Sequence, residues 1–138
     1  MEQFFTFIGN HPYLVGIFVL LLILTIRNEL SRGGPTVGTQ ELTRLVNSEN
    51  AVVLDVRETT EFKQGHIVGA LNIPHEALAD RLNELKKYSD RKLIIACNMG
   101  QHSASAGTML RKNGFDNVSR LSGGITEWRG QNLPLVKS

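Results

Sequence analysis

Cys97 is the single cysteine of a 138-residue chain. The residues after it, Asn98-Met99-Gly100-Gln101-His102-Ser103, join an apolar run to a stretch with the composition of a helix. That arrangement suits a sulfur nucleophile. A short loop between a buried strand and a helix can curl so that several backbone N–H groups face one point, and the helix start adds the positive end of its dipole. A thiolate at that point is favoured over the thiol, and a persulfide anion on the same sulfur would occupy the same cradle. Gly100 permits the curl because glycine adopts positive φ without penalty. A lone cysteine at a strand end is more often an inert buried thiol; the glycine-containing loop leading into a helix argues for chemistry.

The elements that must position this loop follow from apolar periodicity. Leu93 to Ala96 (LIIA) is a continuous apolar run, and Ala51 to Val56 (AVVLDV) another that ends in Asp55 and Arg57, as expected of strands buried on both faces of a parallel sheet. Ala70 to Ile73 forms a shorter strand stopped by Pro74, and Val118 to Leu121 another. Thr39 could cap a helix with Leu42, Leu45 and Val46 on one face. Leu78, Leu82 and Leu85 mark a second helix. Ser103 to Lys112 forms a third, closed by Asn113-Gly114, and Gly123-Gly124 opens a fourth containing Trp128. Strands alternating with helices predict an α/β fold, a parallel sheet flanked by helices. Sites in such sheets lie beyond the carboxyl ends of the strands, where Asp55-Val56-Arg57 and Cys97 fall. No internal repeat or low-complexity tract interrupts the pattern.

The first thirty residues belong to something else. Tyr13 to Ile26 (YLVGIFVLLLILTI) is uncharged and almost wholly apolar. As a helix it spans about 21 Å, short of a hydrocarbon core of about 30 Å. Including Phe4 to Ile8 extends it to about 34 Å, but Asn10, His11 and Pro12 intervene. The reading is one transmembrane helix from residue 11 or 12 to 27, with Pro12 in its first turn and the Phe-rich piece at the interface. A core helix would show a polar face, and a signal peptide would begin with basic residues; neither feature is present. All 15 Lys and Arg residues follow Ile26. The positive-inside tendency therefore predicts a single-pass inner-membrane protein with its domain in the cytoplasm. The predicted organisation is an anchor over 1–30, a linker over 31–36 and a soluble domain over 37–138.

Charge and composition exclude other classes. A formal net charge of +2, with no basic cluster denser than Lys86-Lys87 or Arg91-Lys92, does not suggest a nucleic-acid binder. One cysteine rules out an intramolecular disulfide and any cysteine-rich metal site. No metal or cofactor is expected.

Three motifs then carry a family resemblance. Leu54 to Pro74 (LDVRETTEFKQGHIVGALNIP) resembles the first rhodanese signature, and Leu121 to Pro134 (LSGGITEWRGQNLP) the second. Between them, CNMGQHS matches the family's active-site loop in length, cysteine and central glycine. The resemblance covers about residues 37 to 135. It implies that Cys97 accepts sulfane sulfur and that the backbone amides of Asn98, Met99, Gly100, Gln101 and His102 hold the persulfide. It further implies that Ser103 and Arg57 belong to the substrate-binding surroundings and that Asp55 is a structural neighbour. His66 and Trp128 match signature positions and are read as packing residues. The sixth loop residue, often Arg in active members, is His102, which exchanges a fixed, forked cation for a residue type only partly charged at neutral pH. Phosphatases of this fold would need Arg at Ser103, so that activity is not expected. The resemblance thus implies a sulfurtransferase, which the N-terminal apolar run would anchor to the membrane, taking sulfur from a small donor or a persulfide-bearing protein and passing it to a thiol or other nucleophilic acceptor. The alternative is a catalytically weak or silent interaction module of the same fold tethered to the membrane.

Overall fold

The computed structural model describes residues 1–31 and 34–137. Arg32 and Gly33 of the expected linker, and Ser138, lie outside the described residues. The chain divides into two units, Met1–Ser31 and Arg32–Ser138.

The first unit consists of α1 (Glu2–Asn10) and α2 (Pro12–Ser31). Pro12 opens α2, where its missing N–H costs no helical hydrogen bond; His11 N–H still donates to the Phe7 carbonyl, closing α1. The helices are bent by 95° at this break. Among the described residues no single helix is long and apolar enough to cross a membrane; the two reach that measure only as a bent pair. The single crossing helix expected from sequence is corrected accordingly. From Pro12 to Asn28 the helical rise gives roughly 26 Å, short of about 30 Å, and the proline break prevents the Phe-rich piece from extending it. Ile17, Phe18, Leu20, Leu21 and Leu24 are all exposed.

The second unit is a five-stranded sheet of β1 (Thr36–Val37), β2 (Val52–Asp55), β3 (Leu71–Asn72), β4 (Leu93–Ala96) and β5 (Val118–Leu121). Its order is β1-β5-β4-β2-β3, and every pairing is parallel. β2 and β4 are buried at all four positions, as their apolar runs predicted for all but Asp55, which is buried in its pair with Arg57. The period of two along a strand sorts their side chains to opposite faces. Leu54, Val56, Leu93, Ile95 and Cys97 pack in one core with Ala106 and Leu110 of α5 (Ser103–Lys112). Val53, Ile94 and Ala96 pack in the other with Leu42 and Leu45 of α3 (Thr39–Glu49) and with Ile125 and Trp128 of α6 (Gly124–Gly130). Helices therefore cover both faces. Leu54, Ile94 and Ile95 are wholly buried, each contributing roughly 1.5–3 kcal/mol.

Some elements differ from expectation. Gly38, not Thr39, caps α3; the Thr39 hydroxyl instead donates to Gln131 Oε1 at 2.6 Å. The helix expected through Leu78, Leu82 and Leu85 is two 3-10 pieces, Leu78–Asp80 and Leu82–Tyr88. A short α4 (Thr59–Gln64) occupies what read as a polar connection. Pairing sets the geometry of the site: Asp55 lies opposite Ala96, so the ends of β2 and β4 open onto the same place.

Candidate active site

β4 delivers Cys97 to the carboxyl edge of the sheet, where the residue is only 2 % exposed. The chain then turns through Gly100, at φ +92°, and its N–H donates to Cys97 Sγ at 2.9 Å. Ser103, the first residue of α5, donates its hydroxyl to the Gly100 carbonyl at 2.9 Å. The glycine is thus held on both sides, and its positive φ is one that a side chain rarely adopts. α6 grips the loop from behind. Ile125 N–H donates to the Cys97 carbonyl at 2.8 Å, and Thr126 N–H to the Asn98 carbonyl at 2.9 Å. Gly124 makes this approach possible: at φ +62°, a Cβ there would stand 2.2 Å from the Cys97 carbonyl oxygen.

In front of the sulfur is a pocket of about 160 Å³. Its walls include Arg57, Glu58, Glu61, His75 and His102 besides Cys97. The Asn98 amide donates to both Glu61 carboxylate oxygens at 3.1 Å, which ties the loop to α4. His75 and His102 stack, with ring centroids 3.9 Å apart and planes 8° from parallel. The His75 backbone N–H donates to the Val56 carbonyl at 3.0 Å, so the residue carrying one ring of the stack is anchored to the chain leaving β2.

The family model of the rhodanese-like domain matches residues 38–131. The chain belongs to the rhodanese-like family. Its likeness to YibN, an uncharacterized protein of Escherichia coli (strain K12), is 35 % identity over 142 residues, covering 99 % of each chain; it includes the N-terminal helices. A sulfurtransferase of Allochromatium vinosum is 36 % identical over 93 residues, 67 % of this chain and 85 % of that one. Among solved structures, a rhodanese-related protein from Thermoplasma volcanium superimposes with a TM-score of 0.68 at 30 % identity, covering 75 % of this chain and 99 % of that one.

Within this rhodanese-like domain the residues expected from sequence fall into distinct positions. Cys97, Asn98, Gln101, His102 and Arg57 all line the pocket. Arg57 does so with its guanidinium already engaged. Nε and Nη2 donate to the Asp55 carboxylate at 2.7–3.1 Å, and Nη2 also to the Gly65 carbonyl at 2.7 Å. Both side chains of the pair are 1 % exposed. The pair thus braces the ends of β2 and α4, leaving little of the guanidinium for a substrate. Ser103 is buried and its hydroxyl is spent on Gly100. Met99 is 69 % exposed at the loop's tip, and its N–H donates to Gln101 Oε1 at 3.0 Å. Among the described residues, the loop amide that reaches the sulfur is that of Gly100, where the sequence suggested several. The Gln101 side chain caps the Met99 amide locally, as polar side chains do beside free loop N–H groups.

Four residues of the site were not singled out in the sequence. Glu58 and Glu61 lie inside the first signature, but a carboxylate in a polar stretch gives no sign that it faces a pocket. His75 follows Pro74 directly and meets His102 only through the β2–β4 pairing. Gly124 read as a helix opening, and its close approach to the loop is a tertiary fact. His66 and Trp128 are packed: the indole N–H donates to the Pro134 carbonyl at 2.9 Å, and the His66 ring stacks on Phe62 at 3.8 Å. Among the described residues no group of three or more His, Cys, Asp and Glu could hold a metal ion.

Proposed function

We propose that this rhodanese-like chain is a sulfurtransferase that carries sulfane sulfur as a persulfide on Cys97 and passes it to a thiol or another nucleophilic acceptor. The observation that carries the reading is the Gly100 N–H directed at Cys97 Sγ, in a pocket at the start of α5. The sulfurtransferase named among the relatives supports it. In the loading step the Cys97 thiolate bonds to the outer sulfur of a donor, whose S–S bond breaks and whose electron pair leaves with the inner fragment. In the second step an acceptor thiolate bonds to that outer sulfur, and Cys97 leaves as thiolate. The Gly100 N–H serves both steps, because it stabilises negative charge on the same sulfur as nucleophile and as leaving group.

The membrane belongs to the same proposal. From Tyr13 to Ile26 α2 is uncharged and apolar on every side, and its Thr25 hydroxyl donates to the Leu21 carbonyl at 2.8 Å, so that hydroxyl has a partner without water. The bent pair would seat α2 in the bilayer with α1 at its surface, and the charge bias would face the domain to the cytoplasm.

The test is intact mass after incubation with a sulfur donor. The full chain gains one sulfur atom on Cys97, and Cys97→Ser gains none while retaining its fold, because a neutral hydroxyl is a far weaker sulfur nucleophile. A folded wild-type protein that takes no sulfur from any donor would leave the docking-module reading in its place.

A further inference from the structure

The pocket in front of Cys97 has an unusual charge inventory for a site that would receive an anion. Its one side chain of fixed positive charge, Arg57, is neutralised by Asp55 at 2.7 Å. His75 and His102 bring no fixed charge. Glu61 faces the pocket with both oxygens held by a neutral amide donor, Asn98, so its negative charge is oriented but not cancelled. Glu58 lines the same pocket at its exposed rim. Its carboxylate has no hydrogen bond or ion pair among the described residues. Two uncompensated carboxylates therefore flank the approach to the sulfur, and a volume of about 160 Å³ takes a thiol with a short carbon body.

We infer that Glu58 and Glu61 set the charge preference of this site, so that sulfane sulfur comes from a thiol bearing a neighbouring cationic group, while the thiosulfate dianion is disfavoured. The inference rests on the sulfurtransferase reading of Cys97. For a donor R–S–SH the Cys97 thiolate bonds to the outer sulfur, the donor S–S bond breaks, and its electron pair leaves on R–S⁻; the proton stays on the transferred sulfur. An ammonium group on R, two or three bonds from its sulfur, meets Glu58 at the rim during that approach. It also offsets the negative charge that develops on the leaving sulfur. A carboxylate on R meets repulsion from both glutamates. Each unit of charge on the donor changes the rate by several-fold at low salt, and less as screening rises.

The experiment uses the full chain and three persulfides of similar size, those of cysteamine, 2-mercaptoethanol and 3-mercaptopropionate, with thiosulfate alongside. The rate of single-sulfur gain on Cys97 is read by intact mass. The expected order is ammonium over hydroxyl over carboxylate, each step several-fold, and compressed by added salt. Glu58→Gln narrows the series, Glu58→Asp preserves it, and Glu58→Lys reverses it and speeds loading from thiosulfate. The salt response of the wild type reads the same charge term without any substitution. Peptide persulfides flanked by lysine or by glutamate identify the source. Faster loading from the lysine-flanked peptide than from cysteamine persulfide assigns the sulfur to a protein donor, and the reverse to a small aminothiol. Equal rates across the series, or an order unchanged in Glu58→Lys, overturn the inference while leaving Cys97 a sulfur carrier. No sulfur gain from any donor overturns both.

Discussion

Replacing Gly124 with alanine places a methyl carbon 2.2 Å from the Cys97 carbonyl oxygen and 2.7 Å from that of Asn98. Both obstacles are backbone, so neither can swing aside as a flexible side chain would. The chain must move, and the bonds from Ile125 N–H to the Cys97 carbonyl and from Thr126 N–H to the Asn98 carbonyl must lengthen. Holding a non-glycine residue at φ +62° costs about 1 kcal/mol or more, and each weakened backbone hydrogen bond adds about 1 kcal/mol. The expected loss of stability is about 3 kcal/mol, or roughly 12–24 °C in Tm for a domain of this size. Activity should suffer separately, since a shift of about 1 Å in the carbonyls flanking Cys97 displaces Sγ from its donor and costs on the order of a hundredfold in rate. Thermal unfolding and sulfur gain on Cys97, measured on the same preparations, give the two readouts. Gly130→Ala is the control, because a Cβ there meets nothing within 4 Å. A Gly124→Ala protein that melts and reacts like the Gly130→Ala protein would refute the claim that α6 shapes the loop.

Three further outcomes are expected, two from the site and one from the charge bias of the chain. His102→Arg supplies a fixed cation not already paired, as Arg57 is with Asp55, and should raise kcat/KM for thiosulfate several-fold, equivalent to roughly 1 kcal/mol; steady-state assays with thiosulfate and with an uncharged persulfide separate this from a general effect. Asp55→Ala strands the buried Arg57 guanidinium and should cost about 3–5 kcal/mol in urea unfolding, whereas Asp55→Ala combined with Arg57→Met should recover much of it. Under the proposed membrane seating, a reporter fused after Ser138 should be active on the cytoplasmic side, and protease digestion of the domain from the outer face of intact cells would overturn the proposed orientation.

The parts of the fold legible in the sequence are those where burial is symmetrical. Val52 to Leu54 and Leu93 to Ala96 are apolar at successive positions because both faces of the sheet are covered, and that pattern survives without any knowledge of neighbours. Thr36–Val37 is a two-residue edge strand paired only with β5, too short for any period to register. Leu78, Leu82 and Leu85 have the spacing of an α-helical stripe, yet the chain meets the burial requirement at Leu78 and Leu85 with two 3-10 pieces; spacing alone does not distinguish the two helices. The nucleophile was readable because strand, cysteine, glycine and helix are contiguous. The walls facing it were not, because Glu58, Glu61 and His75 arrive from segments whose proximity depends on the parallel pairing of β2 with β4.

That pairing also gives the site an odd–even address. β4 is locked to β2 and to β5 along its length, with Leu93 opposite both Val52 and Val118. Cys97 therefore shares a face with Leu93 and Ile95 only because an even number of steps separates them. One residue gained or lost between Leu93 and Cys97 would turn the thiol toward α3 and α6, with the loop sequence intact and the nucleophile on the wrong side of the sheet. Beyond the carbonyl of Asn98, no such parity applies. Length and composition at the tip around Met99 can drift, and changes in partner preference can accumulate there and along α4, while the four residues before the cysteine stay fixed in number.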